Sequence, residues 1–268
     1  KRMLNIRILG FFINAILDFA FIKLGFGIMG VAIATVLVEF INMIILICYS
    51  QKIVKVKFIK SIAKEEFSLI RYNIYERIFK RGSTFILNII MSRIGAIQYA
   101  AHLVVMQFID LLGNFLHGTG IGTQTMVATA LGNDDNKKAN EIIKTIYKIN
   151  NKIVYITTSI IGIAMVISLP HFLVEKESLL IGYKLLIFVL IDCILTGFYH
   201  YYSSILRAMK EFKYISKLSF FISVWLKLTL AYILSKVCGI YGIWICFLIT
   251  DSIMNVFLDK GLKKQLIK

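Results

Sequence analysis

Six carboxylates of this sequence fall inside or at the edge of long apolar runs: Asp18, Glu39, Glu76, Asp110, Asp192 and Asp251. An acid at membrane depth is costly and marks a proton or ion pathway, or pairs with a base. A fixed carboxylate there can hold a proton or Na⁺, with nearby carbonyls or hydroxyls completing the ion's shell. Asn14 lies four residues before Asp18, so the two share a helical face. A neutral and a charged oxygen together suit a hard cation, and the same pair also suits polar helix packing. Glu76 stands four residues before Lys80 and beside Arg77, which reads either as an interfacial salt bridge or as a coupling acid. Asp192 sits mid-helix with no basic partner close in sequence, which favours an ion-handling role; Asp110 is similar. Lys227 is also mid-helix and can neutralise one of these acids.

An aromatic run, Phe198-Tyr199-His200-Tyr201-Tyr202, can line a pocket for flat cationic ligands or serve as core and interfacial packing. Tyr199 and Tyr202, with Asp110, are the candidates for a substrate cavity. His102 and His117 are isolated and lack metal-ligand spacing. Cys48, Cys193, Cys238 and Cys246 form no C-x-x-C pair and read as free thiols in or near apolar segments. The sequence contains no Walker loop, nucleophile elbow or zinc motif, so neither nucleotide hydrolysis nor a cofactor is expected.

The elements that position these residues are apolar helices. The 268-residue chain is 58% hydrophobic, with a mean hydropathy of +0.77, against about 45–50% apolar in soluble domains. The apolar runs predict an all-α, polytopic membrane protein of eight transmembrane helices, near 7–24, 27–49, 72–95, 97–131, 144–169, 178–206, 214–235 and 239–259. The third is crowded by Arg71, Glu76, Arg77, Lys80 and Arg81 at its start. The fourth is too long for one upright crossing.

The net charge of +16 follows the same plan. With the N-terminus cytoplasmic, 22 of the 31 Lys and Arg fall in the five inner segments, and the outer loops hold only Lys23, Lys176 and Lys236. This is the positive-inside pattern, and it accounts for the charge without a nucleic-acid partner. The polar stretch 51–71, with Lys52, Lys55, Lys57, Lys60 and Lys64, reads as a cytoplasmic linker between two bundles. An internal repeat agrees: Gly27-Ile-Met-Gly30-Val-Ala-Ile33 resembles Gly239-Ile-Tyr-Gly242-Ile-Trp-Ile245, and Glu39 and Asp251 keep the same 212-residue offset. Phe11-Phe12-Ile13 matches Phe220-Phe221-Ile222 about three residues out of step. The second copy comes six helices after the first, so the repeating unit has six. Residues 1–50 then form the last two helices of a first lobe and 72–268 a complete second lobe related by an axis along the membrane normal. The chain begins at Lys1, and about four preceding helices are expected.

The ordered motifs resemble the multidrug and toxic compound extrusion (MATE) transporters. Asn14-Ala-Ile-Leu-Asp18 followed by Gly25-Phe-Gly27-Ile-Met-Gly30-Val-Ala-Ile-Ala-Thr35 is similar to that family's fifth and sixth helices. Tyr99-Ala-Ala-His102, Gly118-Thr-Gly120-Ile-Gly122, Leu131-Gly132 with Asp134, Leu206-Arg207 and Gly239 to Asp251 continue the match in order. The resemblance implies two six-helix lobes, cytoplasmic termini and cation-driven antiport. It carries a first-lobe cation site to Asn14, Asp18 and Thr35, possible ligands of Na⁺. In other branches acids on helices seven and ten serve, and here those helices hold Glu76 and Asp192. Two departures bear on helix bending: Asn73-Ile74-Tyr75 stands where the family has a proline, and Ala208 replaces the glycine after Leu206-Arg207.

The expectation is a bacterial plasma-membrane exporter of drugs or other small, often cationic, organic molecules. It works in antiport with H⁺ or Na⁺ by alternating access, within the lipid bilayer and without an obligate protein partner. A lipid-linked oligosaccharide flippase would need a more cationic cavity. A membrane enzyme using His102 or His117 would need a second catalytic group. A truncated non-transporting remnant is the third alternative.

Overall fold

The computed structural model describes residues 2–53 and 60–266. Among them every regular element is helical: α1 (Arg2–Lys23), α2 (Gly27–Ile53), α3 (Lys60–Ser92), α4 (Ala96–Gly132), α5 (Asn136–Phe172), α6 (Lys176–Ala208), α7 (Phe212–Leu218), a π-helical segment (Ser219–Leu226) and α8 (Lys227–Leu266). The all-α expectation holds. The chain divides into two compact units, Lys1–Ala63 and Lys64–Lys268.

Among the described residues six helices are long and apolar enough to cross a membrane: Asn5–Lys23, Gly27–Tyr49, Ala96–Gly132, Asn136–Phe172, Lys176–Ala208 and Phe212–Leu266. This differs from the expected eight in two places. The uncharged part of α3, residues 82–92, is too short to qualify. The expected helices 214–235 and 239–259 form one helical run of 55 residues, broken inside by Gly239 at φ 57° and ψ −133°. The polar stretch 51–71 is helical at both ends, where α2 reaches Ile53 and α3 starts at Lys60; residues 54–59, with Lys55 and Lys57, lie outside the described residues.

In the first unit α1 and α2 pack as an antiparallel pair joined by a turn in which Gly25 and Gly27 take positive φ. Gly30 meets the Phe21 and Phe26 side chains so closely that a Cβ would collide. Most other large side chains of this pair, including Phe11, Ile16, Phe19, Ile28 and Val36, are exposed. A continuous apolar surface of this kind is what a helix presents to lipid.

The second unit has two cores. One gathers Leu116, Met165, Leu185, Ile243 and Trp244, all fully buried. The other gathers Tyr201, Ile205, Leu206, Ile215 and Leu258. Small residues bring the helices close: Gly120 of α4 lies on Ser204 and the His200 carbonyl of α6, and Gly197 of α6 lies on Val154 of α5. Asp135 caps α5 by accepting from the Lys138 backbone N–H at 2.9 Å. Ser83 of α3 donates to the Ser223 carbonyl inside the π-helical segment. Lys227 follows one turn after Ser223, directly behind the π-helical segment.

Candidate transport cavity and ion site

Within the second unit, α3, α4, α6, the π-helical segment and α8 enclose a cavity of about 660 Å³. Its wall mixes apolar side chains such as Met91, Met106 and Phe247 with Asp110, Asp192, Asp251, Lys80, Arg81 and Lys227. A largely apolar concavity with a few convergent polar groups is the usual form of a small-molecule site. The register of α4 and α6 sorts these groups by depth. Gly113 faces Thr196, and the His117 and His200 rings stand 5.6 Å apart, so Asp110 lies level with Asp192. His200 is two turns further along α6, about 12 Å at 1.5 Å per residue.

At the His200 level the charges are paired. Glu76 is only 5% exposed. It accepts from Arg207 Nη2 at 2.8 Å on both oxygens, from Lys80 Nζ at 2.9 Å and from the Tyr199 hydroxyl at 3.0 Å. Lys80 also contacts the Tyr199 hydroxyl and lies 4.0 Å over its ring. The Glu76–Lys80 pair expected from spacing is therefore present, but it is buried, and its strongest partner is Arg207 from the end of α6. Charge-assisted bonds from two cations fill the carboxylate and tie α3 to α6.

At the Asp192 level the charges are not all paired. Asp192 is 6% exposed, and its Oδ1 has no hydrogen-bond partner. Lys227 Nζ donates to Asp251 Oδ1 at 3.2 Å and sits 4.7 Å over the Phe247 ring. Asp192 lies within hydrogen-bonding reach of the Asp251 carboxyl and within electrostatic reach of Lys227. Asp110 opens into the cavity from α4. Tyr199 lines the cavity, whereas Tyr202 packs one turn further on, stacked at 6.3 Å on Phe198 beside the core around Tyr201 and Leu206.

The first unit holds a smaller cavity of about 180 Å³, lined by Arg7, Gly10, Phe11, Asn14, Thr35, Val38, Glu39 and Asn42. Asn14 Nδ2 approaches Thr35 Oγ1 at 3.5 Å, and that hydroxyl donates to the Val31 carbonyl at 3.0 Å. Asp18 does not line this cavity; its Oδ1 is buried one turn away with no partner. Arg7 holds Glu39 at 2.9 Å.

The MatE family model matches residues 74–233, more than half of the chain. The chain belongs to the MatE family. No curated protein gives a match. Solved structures of the MATE fold superpose over nearly its whole length. One is a MATE transporter in complex with MaL6, with TM-score 0.83 and 19% identity over 97% of this chain and 62% of that one. Another is an outward-facing multidrug resistance MATE family transporter, with TM-score 0.80 and 21% identity over 98% and 62%. A third is a MOP superfamily transporter from Pyrococcus furiosus, with TM-score 0.81 and 20% identity over 97% and 61%. This MATE-family chain therefore spans about three-fifths of the length of the structures it matches, and it is a multi-pass membrane protein by fold.

Sequence reasoning had the acids but not their companions. Arg207 stands in the sequence as part of a Leu-Arg pair and His200 within an aromatic run, and the position of Lys227 does not name the acid it meets. Helical spacing finds partners within a few turns, whereas Arg207 stands 131 residues from Glu76 and Lys227 stands 24 from Asp251 across the break at Gly239.

Proposed function

We propose that this chain forms the last two helices of a first lobe (1–50) and the whole second lobe (72–268) of a secondary transporter. That transporter exports drugs or other small, often cationic, organic molecules in antiport with H⁺ or Na⁺. The observation that carries the reading is Asp192, a buried carboxylate whose Oδ1 has no hydrogen-bond partner, in the wall of a 660 Å³ cavity of a MatE-family chain. A carboxylate left unpaired in a low-dielectric interior is neutralised by a proton or a bound cation. Binding favours whichever cavity conformation best shields that charge, which biases alternating access.

Asp110 and Tyr199 present a charge and an aromatic face to a cationic substrate. Asn14, Asp18 and Thr35 form the second coupling centre, and Glu76 acts by holding or releasing Lys80 and Arg207. Eight crossings are counted when the apolar end of α3 passes through the bilayer and the final run divides at Gly239. Both ends then lie in the cytoplasm of a bacterial cell.

The test is uptake of a fluorescent cationic dye into inside-out vesicles carrying the full-length transporter, under an imposed H⁺ or Na⁺ gradient. Gradient-driven uptake that is lost in Asp192→Asn supports the reading. Uptake that ignores both gradients, or survives the substitution unchanged, overturns the role of Asp192.

A further inference from the structure

Asp192 does not stand alone. Asp251 of α8 and Lys227, the residue that follows the π-helical segment, line the same cavity, and Lys227 Nζ reaches Asp251 Oδ1 at 3.2 Å. Two carboxylates and one ammonium leave one negative charge. The ammonium has three donors. In this structure it uses a rather long bond to Asp251 and the face of Phe247, while Asp192 Oδ1 receives no donor. Lys227 is thus held to one acid of a pair by weak contacts, on a flexible four-carbon stem.

We propose that Asp192, Asp251 and Lys227 form one binding site for a single monovalent cation, in which Lys227 is a tethered competitor for the same carboxylates. With H⁺ or Na⁺ on Asp192, Lys227 stays on Asp251. When the cation leaves, Lys227 is shared between both acids, and the one remaining negative charge is spread over the pair instead of resting on Asp192 alone. The lysine limits the site to one charge and excludes divalent ions, which would need both carboxylates. It also lowers the cost of the cation-free state, since two bare acids in a dry wall would be far costlier than one. The inference rests on the proposed ion coupling at Asp192 and adds the stoichiometry and its two determinants.

The remaining titratable or charged groups facing the cavity are Lys80 and Arg81 of α3, His102, Asp110 and His117 of α4, and Tyr199 and His200 of α6. Lys80 is taken up by Glu76 and Tyr199. The nearest groups to Asp192 with opposite or like charge are Lys227 and Asp251, the two that act on it.

The experiment counts cations held by the purified full-length protein in detergent: radioactive Na⁺ by equilibrium dialysis at alkaline pH, and protons by potentiometric titration. The Asp192-dependent capacity is the difference from Asp192→Asn. Wild type should hold one charge. Asp251→Asn should hold none, because Lys227 then neutralises Asp192. Lys227→Gln should bind about tenfold tighter or more, for loss of a neighbouring positive charge. The double variant Asp251→Asn with Lys227→Gln should regain the single charge. An Asp251→Asn capacity equal to wild type, or a double variant as empty as the single one, overturns the proposal. Should Asp251→Asn fail to fold in a thermal melt, Lys227→Gln decides alone: no gain in affinity overturns it. No difference between wild type and Asp192→Asn refutes the ion-coupling reading itself, a separate result.

Discussion

Gly27 and Gly239 stand 212 residues apart and both take positive φ, 53° and 57°. Each opens a segment of the form Gly-x-x-Gly, and the second glycine of each, Gly30 and Gly242, presses against the preceding helix. The repeat read from sequence therefore has a physical cause at two positions: a backbone conformation that disfavours side chains, and an approach that excludes a Cβ. Gly239→Val should destabilise the protein by about 1–3 kcal/mol. Gly242→Val should cost at least as much, because its Cβ would run into the Leu234 carbonyl. Thermal melting in detergent checks both, and an unchanged midpoint for Gly239→Val would show that the turn does not constrain the helix.

Glu76 binds two cations from two helices, so removing its charge strands both. Glu76→Gln should lower stability by about 3–5 kcal/mol, the usual cost of breaking a buried pair from one side. Arg207→Lys keeps the charge, shortens the reach and should cost less. Paired melts of the two variants distinguish them, and equal midpoints would mean that Glu76 is not the anchor of α3 on α6.

The four cysteines report orientation. Cys48 and Cys238 are exposed, and Cys193 and Cys246 are buried. A membrane-impermeant maleimide applied to intact cells should label Cys238, at the proposed outer end of the last turn, and leave Cys48 for permeabilised cells. Cys193 and Cys246 should react only after denaturation. Labelling of Cys48 from outside would reverse the proposed topology.

Asp18 differs from Asp192 in lying outside its unit's cavity, whose Arg7 is held by Glu39. Asp18→Asn should reduce gradient-driven uptake without loss of fold, read as an unchanged melting midpoint beside a several-fold lower rate. Full activity in Asp18→Asn would confine coupling to the second unit.

Local chemistry along the chain accounts for its fold class and for its candidate acids. Apolar runs bounded by charge gave an all-helical membrane chain, because a bilayer accepts few other ways of satisfying backbone polar groups. The rarity of acids in such runs singled out Asp18, Glu76, Asp192 and Asp251. Ordered short motifs carried the family resemblance. Helix ends were less legible, since charged turns extend helices past the bilayer: α3 begins at Lys60 rather than near residue 72. Only the tertiary structure decided which acids are satisfied and which are not. Glu76 is paired because α6 ends with Arg207 beside it, whereas Asp192 Oδ1 is left without a donor while Lys227 is bonded to Asp251. Tyr199 lines the cavity and Tyr202 does not, although both belong to one aromatic run. Those outcomes depend on helix register and on the π-helical segment before Lys227. They arise between helices far apart in sequence, where no spacing rule reaches.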